Sequence, residues 1–418
     1  MEVAAVKKRS VVFICGYEIA PPDVHHRRFG RELPVFEAAW NVKSELSPCS
    51  VDQDRHIGQW RLVTTGPNWR VETDYRLYWW GDLITYDFAM PDWRRLLLGF
   101  VAFFDFLFSK TILAYFRTNW RYALFFLYPY VFLMLVGAGG FYLAWRALGG
   151  WLPWPGLWAA LIGIGCVFGI LKLPARPLYV GYLLGDWSFA RDLVRHLRPA
   201  LDARLDQFAR ALVDHVRNST ADEIVLVGHS LGAVQVIDVV ARAKRLDPQF
   251  GAGRVPVAIL TIGSSLLKIG LHPAATELKQ AVHEVANDPH IFWVEYQALI
   301  DIINFYKSNP VTDLGLPPCD KPVVKIARIR HMLKEATYKG LRRDFFRVHR
   351  QFVMGNEQRY FYDYYMICCG PVSLPQRVAF PEGAVAAFAP DGAFDPDAVT
   401  KPPPRSGKAA AGKKGGKR

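Results

Sequence analysis

Short apolar runs and amphipathic stretches alternate at both ends of this 418-residue chain. Apolar or alternating runs predict strands at residues 11–15, 70–84, 224–227, 256–262, 290–296 and 323–329. Apolar residues at three- and four-residue steps predict helices at residues 189–217, 233–244 and 274–285. Strands and helices in alternation are typical of α/β proteins, so we predict a doubly wound, mostly parallel sheet.

Two uncharged apolar stretches, residues 123–143 and 154–171, interrupt this alternation. Each is close to the length that crosses the hydrocarbon core of a bilayer. Gly165 and Gly169 form a Gly-x-x-x-Gly pattern, which predicts a close approach of the two helices. We therefore predict an inserted transmembrane helical hairpin, and a pair of buried core helices is the alternative.

A third apolar segment, residues 96–116, contains Asp105, Ser109 and Lys110. These polar residues favour an amphipathic helix that lies at the membrane interface. A re-entrant piece, a core helix or a third span remain open as alternatives. The predicted organisation is a first part of the soluble domain at residues 1–95, a membrane-associated insertion at 96–176 and a second part at 177–380.

The charge distribution bears on orientation and partners, because the chain carries a net charge of +13. Basic residues flank the hairpin on both sides, whereas the turn between its helices carries only Arg146, so the soluble parts are expected in the cytoplasm. Six cysteines without metal-ligand spacing fit the same reducing compartment. Residues 381–418 are predicted to form a disordered basic tail, either a solvated tail or a tether for anionic lipid headgroups.

Residues 223–232, Glu-Ile-Val-Leu-Val-Gly-His-Ser-Leu-Gly, join a buried strand to Gly-x-Ser-x-Gly and the start of a helix. A serine at such a junction lies on a sharp turn that exposes its hydroxyl, and the next backbone N–H points to the same place. Gly228 and Gly232 leave room where a Cβ would collide with neighbouring elements. Ser230 is therefore the candidate nucleophile, with an inert turn as the alternative.

This motif resembles the nucleophile elbow of α/β-hydrolase-fold serine hydrolases of the lipase and esterase type. The resemblance covers roughly residues 10–90 and 185–370 and excludes the hairpin. It implies the α/β-hydrolase fold and the order nucleophile, acid, histidine along the chain. It also places one oxyanion-hole donor in the turn after an early strand.

The resemblance places the acid beyond a strand that follows the elbow, where Asp301 lies in an otherwise apolar stretch. An unpaired carboxylate there would be costly, and an imidazole partner removes that cost. Asp288 fits a turn, and Asp313 and Asp320 fit solvent-facing loop. Glu295 lies within the preceding strand, where we expect it to point outward.

His349, which lies among aromatic residues beyond the last strand, is the predicted general base. His331 directly follows the last predicted strand and remains the alternative base. The predicted oxyanion-hole donors are the backbone N–H groups of Leu231 and of Tyr17, where Gly16 lets the backbone approach closely.

The predicted reaction is acyl transfer from a lipophilic ester to Ser230 and then to water. A location at the lipid bilayer favours acyl lipids or lipid-modified proteins as substrates. The alternative is a catalytically inactive, hydrolase-like membrane scaffold. Metal motifs, phosphate loops and dinucleotide fingerprints do not occur in the sequence, so we predict no cofactor and no metal. Nucleic acid is not expected as a partner, because no recognition motif accompanies the basic residues.

Overall fold

The computed structural model describes residues 5–149, 151–173 and 178–401. Within them, nine strands form one sheet in the order β2-β4-β5-β1-β6-β7-β8-β9, and β3 pairs with β4. Neighbours from β5 across to β9 pair in parallel, whereas β2, β3 and β4 are antiparallel. The chain is thus an α/β protein with a mostly parallel sheet, as predicted. The strands are β1 (Lys8–Ile14), β2 (Lys43–Leu46), β3 (Ser50–Asp52), β4 (Ile57–Thr65), β5 (Arg70–Tyr78), β6 (Glu223–His229), β7 (Val257–Ile262), β8 (Ile291–Gln297) and β9 (Val323–Ile326).

Helices pack on both faces of this sheet. Helices Pro199–Asn218, Leu231–Leu246 and Thr276–Ala286 contact one another on one face, and helices Pro22–Trp40 and Tyr364–Cys369 lie on the other. The remaining α-helices are Thr85–Ala89, Asp92–Phe108, Thr111–Thr118, Trp120–Leu148, Pro155–Lys172, Val180–Val194, Leu266–Gly270, Glu335–Leu341, Phe345–Arg350, Leu374–Ala379 and Gly383–Ala386. Single 3-10 turns occur at Gly81–Ile84, Thr312–Leu314, Ile329–His331, Gln351–Val353 and Pro396–Ala398.

The strand order creates a crevice at the carboxyl ends of the central strands. From β1 the chain builds β2 to β5 on one side and β6 to β9 on the other. The carboxyl ends of β1 and β6 therefore flank a topological switch point, which is where open α/β sheets bind ligands. Strand β6 is buried along its whole length, because helices cover both of its faces, and this explains its unbroken apolar run.

The helix predicted at residues 189–217 is two helices in the structure. The first, Val180–Val194, begins earlier than predicted, and the second, Pro199–Asn218, begins at a proline. Proline lacks a backbone N–H and disfavours helical geometry in the preceding residue, so the single-helix prediction was wrong. The four-residue leucine spacing continues across the break, so it does not indicate where the first helix ends.

Part of the predicted tail is ordered. Helix Gly383–Ala386 and the pairing of Phe388 with Phe394 belong to a packed segment, in which both phenylalanines are buried. The indole of Trp69 donates to the carbonyl of Gly392 at 3.0 Å, which ties this segment to the turn between β4 and β5. The prediction of disorder from residue 381 was therefore wrong for residues 381–401, and residues 402–418 lie outside the described ranges.

Two helices in the described residues, Trp120–Leu148 and Pro155–Lys172, are long and apolar enough to cross a membrane. Only 28% and 11% of the most apolar 18-residue stretch of each helix is buried. The two helices are therefore not a pair of buried core helices, which was the alternative interpretation of the sequence. The two helices pack against each other. Along the chain they lie between β5 and β6.

The close contact of these two helices uses other glycines than the predicted pair. A Cβ added at Gly165 or Gly169 would meet nothing within 4 Å, so the prediction for this pair was wrong. A Cβ at Gly163 would instead lie 2.7 Å from the carbonyl oxygen of Gly137, and one at Gly140 would lie 2.8 Å from Cys166 Sγ. Of the glycines needed for packing, Gly163 lies on another face of the second helix and Gly140 lies on the first helix.

Residues 96–116 form two helices, Asp92–Phe108 and Thr111–Thr118, bent by 71° at their junction. One face of the first helix is buried, and Asp105 on it contacts the guanidinium groups of Arg195 and Arg191. The opposite face exposes a row of large apolar side chains at helical spacing: Leu97, Val101, Phe104 and Phe108. Of the polar residues that interrupt the apolar run, Asp105 therefore lies on the buried face of the helix and forms ion pairs there.

Candidate active site

Ser230 lies at the tight turn between β6 and helix Leu231–Leu246. Its backbone has φ 58° and ψ −124°, a conformation that costs a non-glycine residue about 1–3 kcal/mol. Two backbone hydrogen bonds hold this turn: the N–H of Ser230 donates to Ile262 at 3.1 Å, and its carbonyl accepts from Ser265 at 3.2 Å. Strain held by the surrounding structure is a common property of functional residues.

Three glycines make this turn possible. A Cβ at Gly228 would lie 2.5 Å from Ala233 Cα, and one at Gly232 would lie 2.0 Å from the carbonyl oxygen of Ile14. A Cβ at Gly16 would lie 2.9 Å from Ser230 Cβ and 3.3 Å from Ser230 Oγ. The turn after β1 and the serine are therefore in direct contact.

Asp301 and His349 form a buried pair at the same end of the sheet as Ser230, where the parallel strands have their carboxyl ends. Nδ1 of His349 lies 2.7 Å from Oδ2 of Asp301, and their side chains are 5% and 0% exposed. The other carboxylate oxygen accepts the N–H of Ile303 at 2.9 Å, which fixes the orientation of the acid. Asp301 follows β8 and His349 lies on the short helix after β9, so long-range folding brings them together.

The imidazole of His349 also packs on the backbone at the end of β7. A Cβ at Gly263, whose φ is +52°, would lie 2.7 Å from Cε1 of the ring. Nε2 of His349 is buried and forms no hydrogen bond with the described residues. Ser230 and His349 both line one cavity, and catalytic hydrogen bonds in ligand-free sites often close only when substrate binds.

The structure brings none of the alternative residues to this pair. His331 is exposed and contacts Tyr360, outside the cavity wall. Asp288 pairs with Lys244, and the carboxylate of Asp313 accepts the N–H of Asn309 at 2.8 Å.

Glu295 does not point outward as expected, because both faces of β8 are covered. Its side chain is buried and accepts from Thr261 at 3.1 Å and Gln297 at 2.8 Å. Burial raises the pKa of Glu295 to about 7, against the opposing effect of these hydrogen bonds.

The predicted oxyanion-hole donors lie on the two elements that flank the switch point. The backbone N–H groups of Leu231 and Tyr17 donate no hydrogen bond to any described residue. The Tyr17 side chain is fixed by stacking on Phe88 and by a hydrogen bond from its hydroxyl to Asp87 at 3.3 Å. Tyr182 donates to the carbonyl of Tyr17 at 2.8 Å, which further restrains this turn.

His229, which directly precedes Ser230, packs against His349. Its ring lies against that of His349, with centroids 4.6 Å apart. Burial, with a smaller contribution from His349, holds the pKa of His229 well below its ordinary value. Because Nε2 of His229 lies 3.2 Å from the carbonyl oxygen of His349, that nitrogen carries the proton and donates it. In the sequence, only the position of His229 directly before Ser230 indicates that it lies at the candidate site.

The cavity has a volume of about 890 Å³ and extends from Ser230 to the base of the hairpin. Tyr122 and Phe125, from the first turns of helix Trp120–Leu148, form part of its wall. The same turns also contact the segment that contains Asp301, because Arg121 donates to the carbonyl of Leu299 at 2.7 Å. The ring of Tyr122 also stacks on Phe305 at 3.9 Å between centroids.

A buried ion pair, Lys268 with Asp186, also lines the cavity, and sequence reasoning missed it. The ammonium of Lys268 lies 4.4 Å from the ring centroid of Trp187. Burial lowers the pKa of Lys268, and the charge of Asp186 opposes this. The apolar run before Asp186 and the distance along the chain to Lys268 left no local signal for the pair.

Among the described residues, Cys15, Glu18 and His25 place three metal-ligating atoms within 4.8 Å of one another. Arg28 donates to the Glu18 carboxylate at 2.6 Å and already neutralises it. Burial raises the pKa of Cys15 well above its ordinary value, whereas metals bind the thiolate. This donor set therefore fits an ion pair beside a buried thiol better than a metal centre.

In comparisons with family models, with curated proteins and with solved structures, nothing matches this chain significantly. The geometry of the site therefore carries the functional argument.

Proposed function

We propose that this chain is a membrane-anchored serine hydrolase of the α/β-hydrolase fold that cleaves esters of a lipophilic substrate. One observation carries the proposal: Ser230, on a strained strand-to-helix turn, lines the same cavity as His349, which is paired with the buried Asp301. Nucleophilic catalysis by serine needs these three parts, because a base must accept the proton and an acid must orient the base.

The proposed reaction has two steps. Ser230 Oγ attacks the ester carbonyl while Nε2 of His349 takes its proton, and the N–H groups of Leu231 and Tyr17 stabilise the oxyanion. The bond to the alcohol breaks, and His349 returns the proton to the leaving alcohol. Water then attacks the acyl-enzyme by the same route, which releases the acid and restores the serine.

The membrane part of the proposal rests on the apolar surface that the chain exposes. The two long helices are mostly unburied, and the row from Leu97 to Phe108 presents a further apolar face beside them. We propose that the hairpin crosses the bilayer, that helix Asp92–Phe108 lies at the interface, and that the catalytic domain is cytoplasmic. The basic residues after residue 401 would add contacts with anionic headgroups.

Labelling with a fluorophosphonate in isolated membranes tests the enzyme proposal. We expect the wild-type chain to label, Ser230→Ala to lose all label and His349→Ala to lose nearly all. Ser264→Ala is the matched control, since Ser264 is a buried serine after β7 that is outside the cavity wall. A folded, membrane-bound wild-type chain that takes no label would refute the enzyme proposal and favour the scaffold.

A reporter cysteine at Trp151, which is exposed in the turn of the hairpin, tests the orientation. In intact cells a membrane-impermeant maleimide should label Trp151→Cys above the wild-type background and should not label Leu246→Cys on the soluble domain. Labelling of both positions, or of Leu246→Cys alone, would contradict the proposed topology.

A further inference from the structure

Charged side chains form part of the cavity wall, and each acidic one already has donors. Glu18 binds Arg28 at 2.6 Å, and Glu32 lies 3.3 Å from Arg31. Asp186 binds Lys268, and Glu357 accepts the N–H of Lys334 and the hydroxyl of Thr337. The acids of the wall are therefore occupied within the protein.

Arg350 differs from these residues. It lies on the cavity wall directly after His349 and is half-buried, and its guanidinium forms neither a hydrogen bond nor an ion pair with the described residues. Its charge acts on two other residues of the wall, His229 and Tyr182, so it lies near the reacting groups. Arg347, one turn earlier on the same helix, also lines the cavity, and its guanidinium forms no ion pair with the described residues.

A guanidinium that is partly removed from water and unpaired favours an anionic ligand. Its fork of N–H donors matches the oxygens of phosphate or carboxylate, and such charge-assisted bonds are stronger than neutral ones. Arg347 adds a second positive charge, and the two arginines lie about one helical turn apart.

The rest of the wall fits the apolar part of an amphiphile. Tyr122, Phe125 and Leu183 line the cavity where it reaches the hairpin, and the volume of about 890 Å³ exceeds that of a single short acyl chain. Building on the proposed function, we infer that the substrate is an anionic ester amphiphile and that Arg350 binds its phosphate or carboxylate. Arg350 is thus a specificity-determining residue rather than a catalytic one.

Matched substrates that differ only in the anionic group test this inference. Dihexanoyl phosphatidic acid, dihexanoylglycerol and dihexanoylglycerol hemisuccinate share the two hexanoyl ester bonds and can be used as monomers with the full chain in neutral detergent. The release of hexanoic acid is measured for all three, because the hemisuccinate also contains a succinyl ester. We expect the wild-type kcat/KM to favour the anionic esters. The ratio of the phosphatidic acid value to the dihexanoylglycerol value should fall about 10- to 100-fold in Arg350→Gln, mainly through KM.

Arg343→Gln is the control, because Arg343 is an exposed arginine nearby that does not line the cavity. It removes the same charge, so a general attraction of anions to the protein would lower the ratio equally in both variants. Arg350→Lys should restore part of the preference. The hemisuccinate distinguishes a site for any anion from one that prefers phosphate. A wild-type enzyme without preference, or an Arg350→Gln ratio equal to that of wild type, would overturn the inference.

Binding separates this inference from the proposed hydrolase activity. The diether analogue of dihexanoyl phosphatidic acid cannot be hydrolysed, and its affinity can be measured in the Ser230→Ala background. Affinity that falls with Arg350→Gln but not with Arg343→Gln would support the anion site even if no ester is hydrolysed. Equal affinities in the two double variants would overturn the anion site, whatever the outcome of the labelling.

Discussion

Replacing Asp301 with asparagine probes the buried acid with little change in shape. The carboxylate accepts from Nδ1 of His349 at 2.7 Å and from the N–H of Ile303 at 2.9 Å. An amide has only one oxygen, so it can serve one of these donors at a time. If that oxygen faces Ile303, the amide N–H₂ faces Nδ1, and the proton of the imidazole moves to Nε2, where it blocks base catalysis.

The opposite rotamer of the amide leaves two donors facing each other beside Ile303 in a buried site, at a cost of about 1–3 kcal/mol. The imidazolium of the transition state also loses a charged partner, which adds roughly 1.5–3 kcal/mol. The sum of about 2.5–6 kcal/mol corresponds to a rate lowered by about 10²- to 10⁴-fold.

The assay is the second-order rate constant of fluorophosphonate labelling for wild type, Asp301→Asn and the control Asp313→Asn. Asp313 holds a surface turn through the N–H of Asn309 and lies outside the cavity wall, so its variant should label like wild type. A rate for Asp301→Asn within threefold of wild type, with unchanged thermal unfolding, would refute the proposed role of the acid.

Three further predictions concern strain, packing and pH. Ser230→Gly should abolish labelling yet raise the free energy of unfolding by about 1 kcal/mol, because glycine relieves the positive φ. Gly263→Ala should displace the His349 ring and lower the labelling rate at least tenfold, whereas Gly253→Ala, with open space around its Cβ position, should not; equal rates would contradict the packing argument. Glu295→Gln should change the pH dependence of stability. Since the pKa of Glu295 is raised from 4.5 to about 7 on folding, its contribution is complete below pH 4.5 and is lost as the pH rises through 7. The stability difference between wild type and Glu295→Gln should therefore fall by about 3 kcal/mol over this range in denaturant unfolding, and a constant difference would exclude the shift.

The parts of the fold that the sequence predicted are those with local causes. The unbroken apolar run of β6 and the glycines beside Ser230 act on their immediate neighbours, so their pattern indicates both strand and turn. The mostly parallel character of the sheet then follows from the alternation of strands with helices. The wrong predictions depended on contacts between distant elements. Gly165 and Gly169 have a suitable spacing but face away from the first helix, and only the relative rotation of the two helices decides this.

The candidate site shows the same division. Ser230 could be recognised from its motif, whereas the choice between His349 and His331 depended on how the chain after β9 returns to the sheet. The helix Phe345–Arg350 places one histidine beside Asp301, and the other remains in solvent. That Arg350 forms no ion pair with the described residues could not be predicted, since this depends on where the acidic residues lie in the folded chain.

The first turn of helix Trp120–Leu148 supports the acid segment through Arg121 and the stacked rings of Tyr122 and Phe305. Under the proposed function, the anchor is therefore also a mechanical part of the enzyme. Tilting of this helix in a thinner or thicker bilayer would reach the acid directly, so turnover would vary with lipid chain length at constant substrate concentration. A soluble form made by deleting the hairpin would lose this support, and its low activity would reflect a loosened acid rather than absence from the membrane.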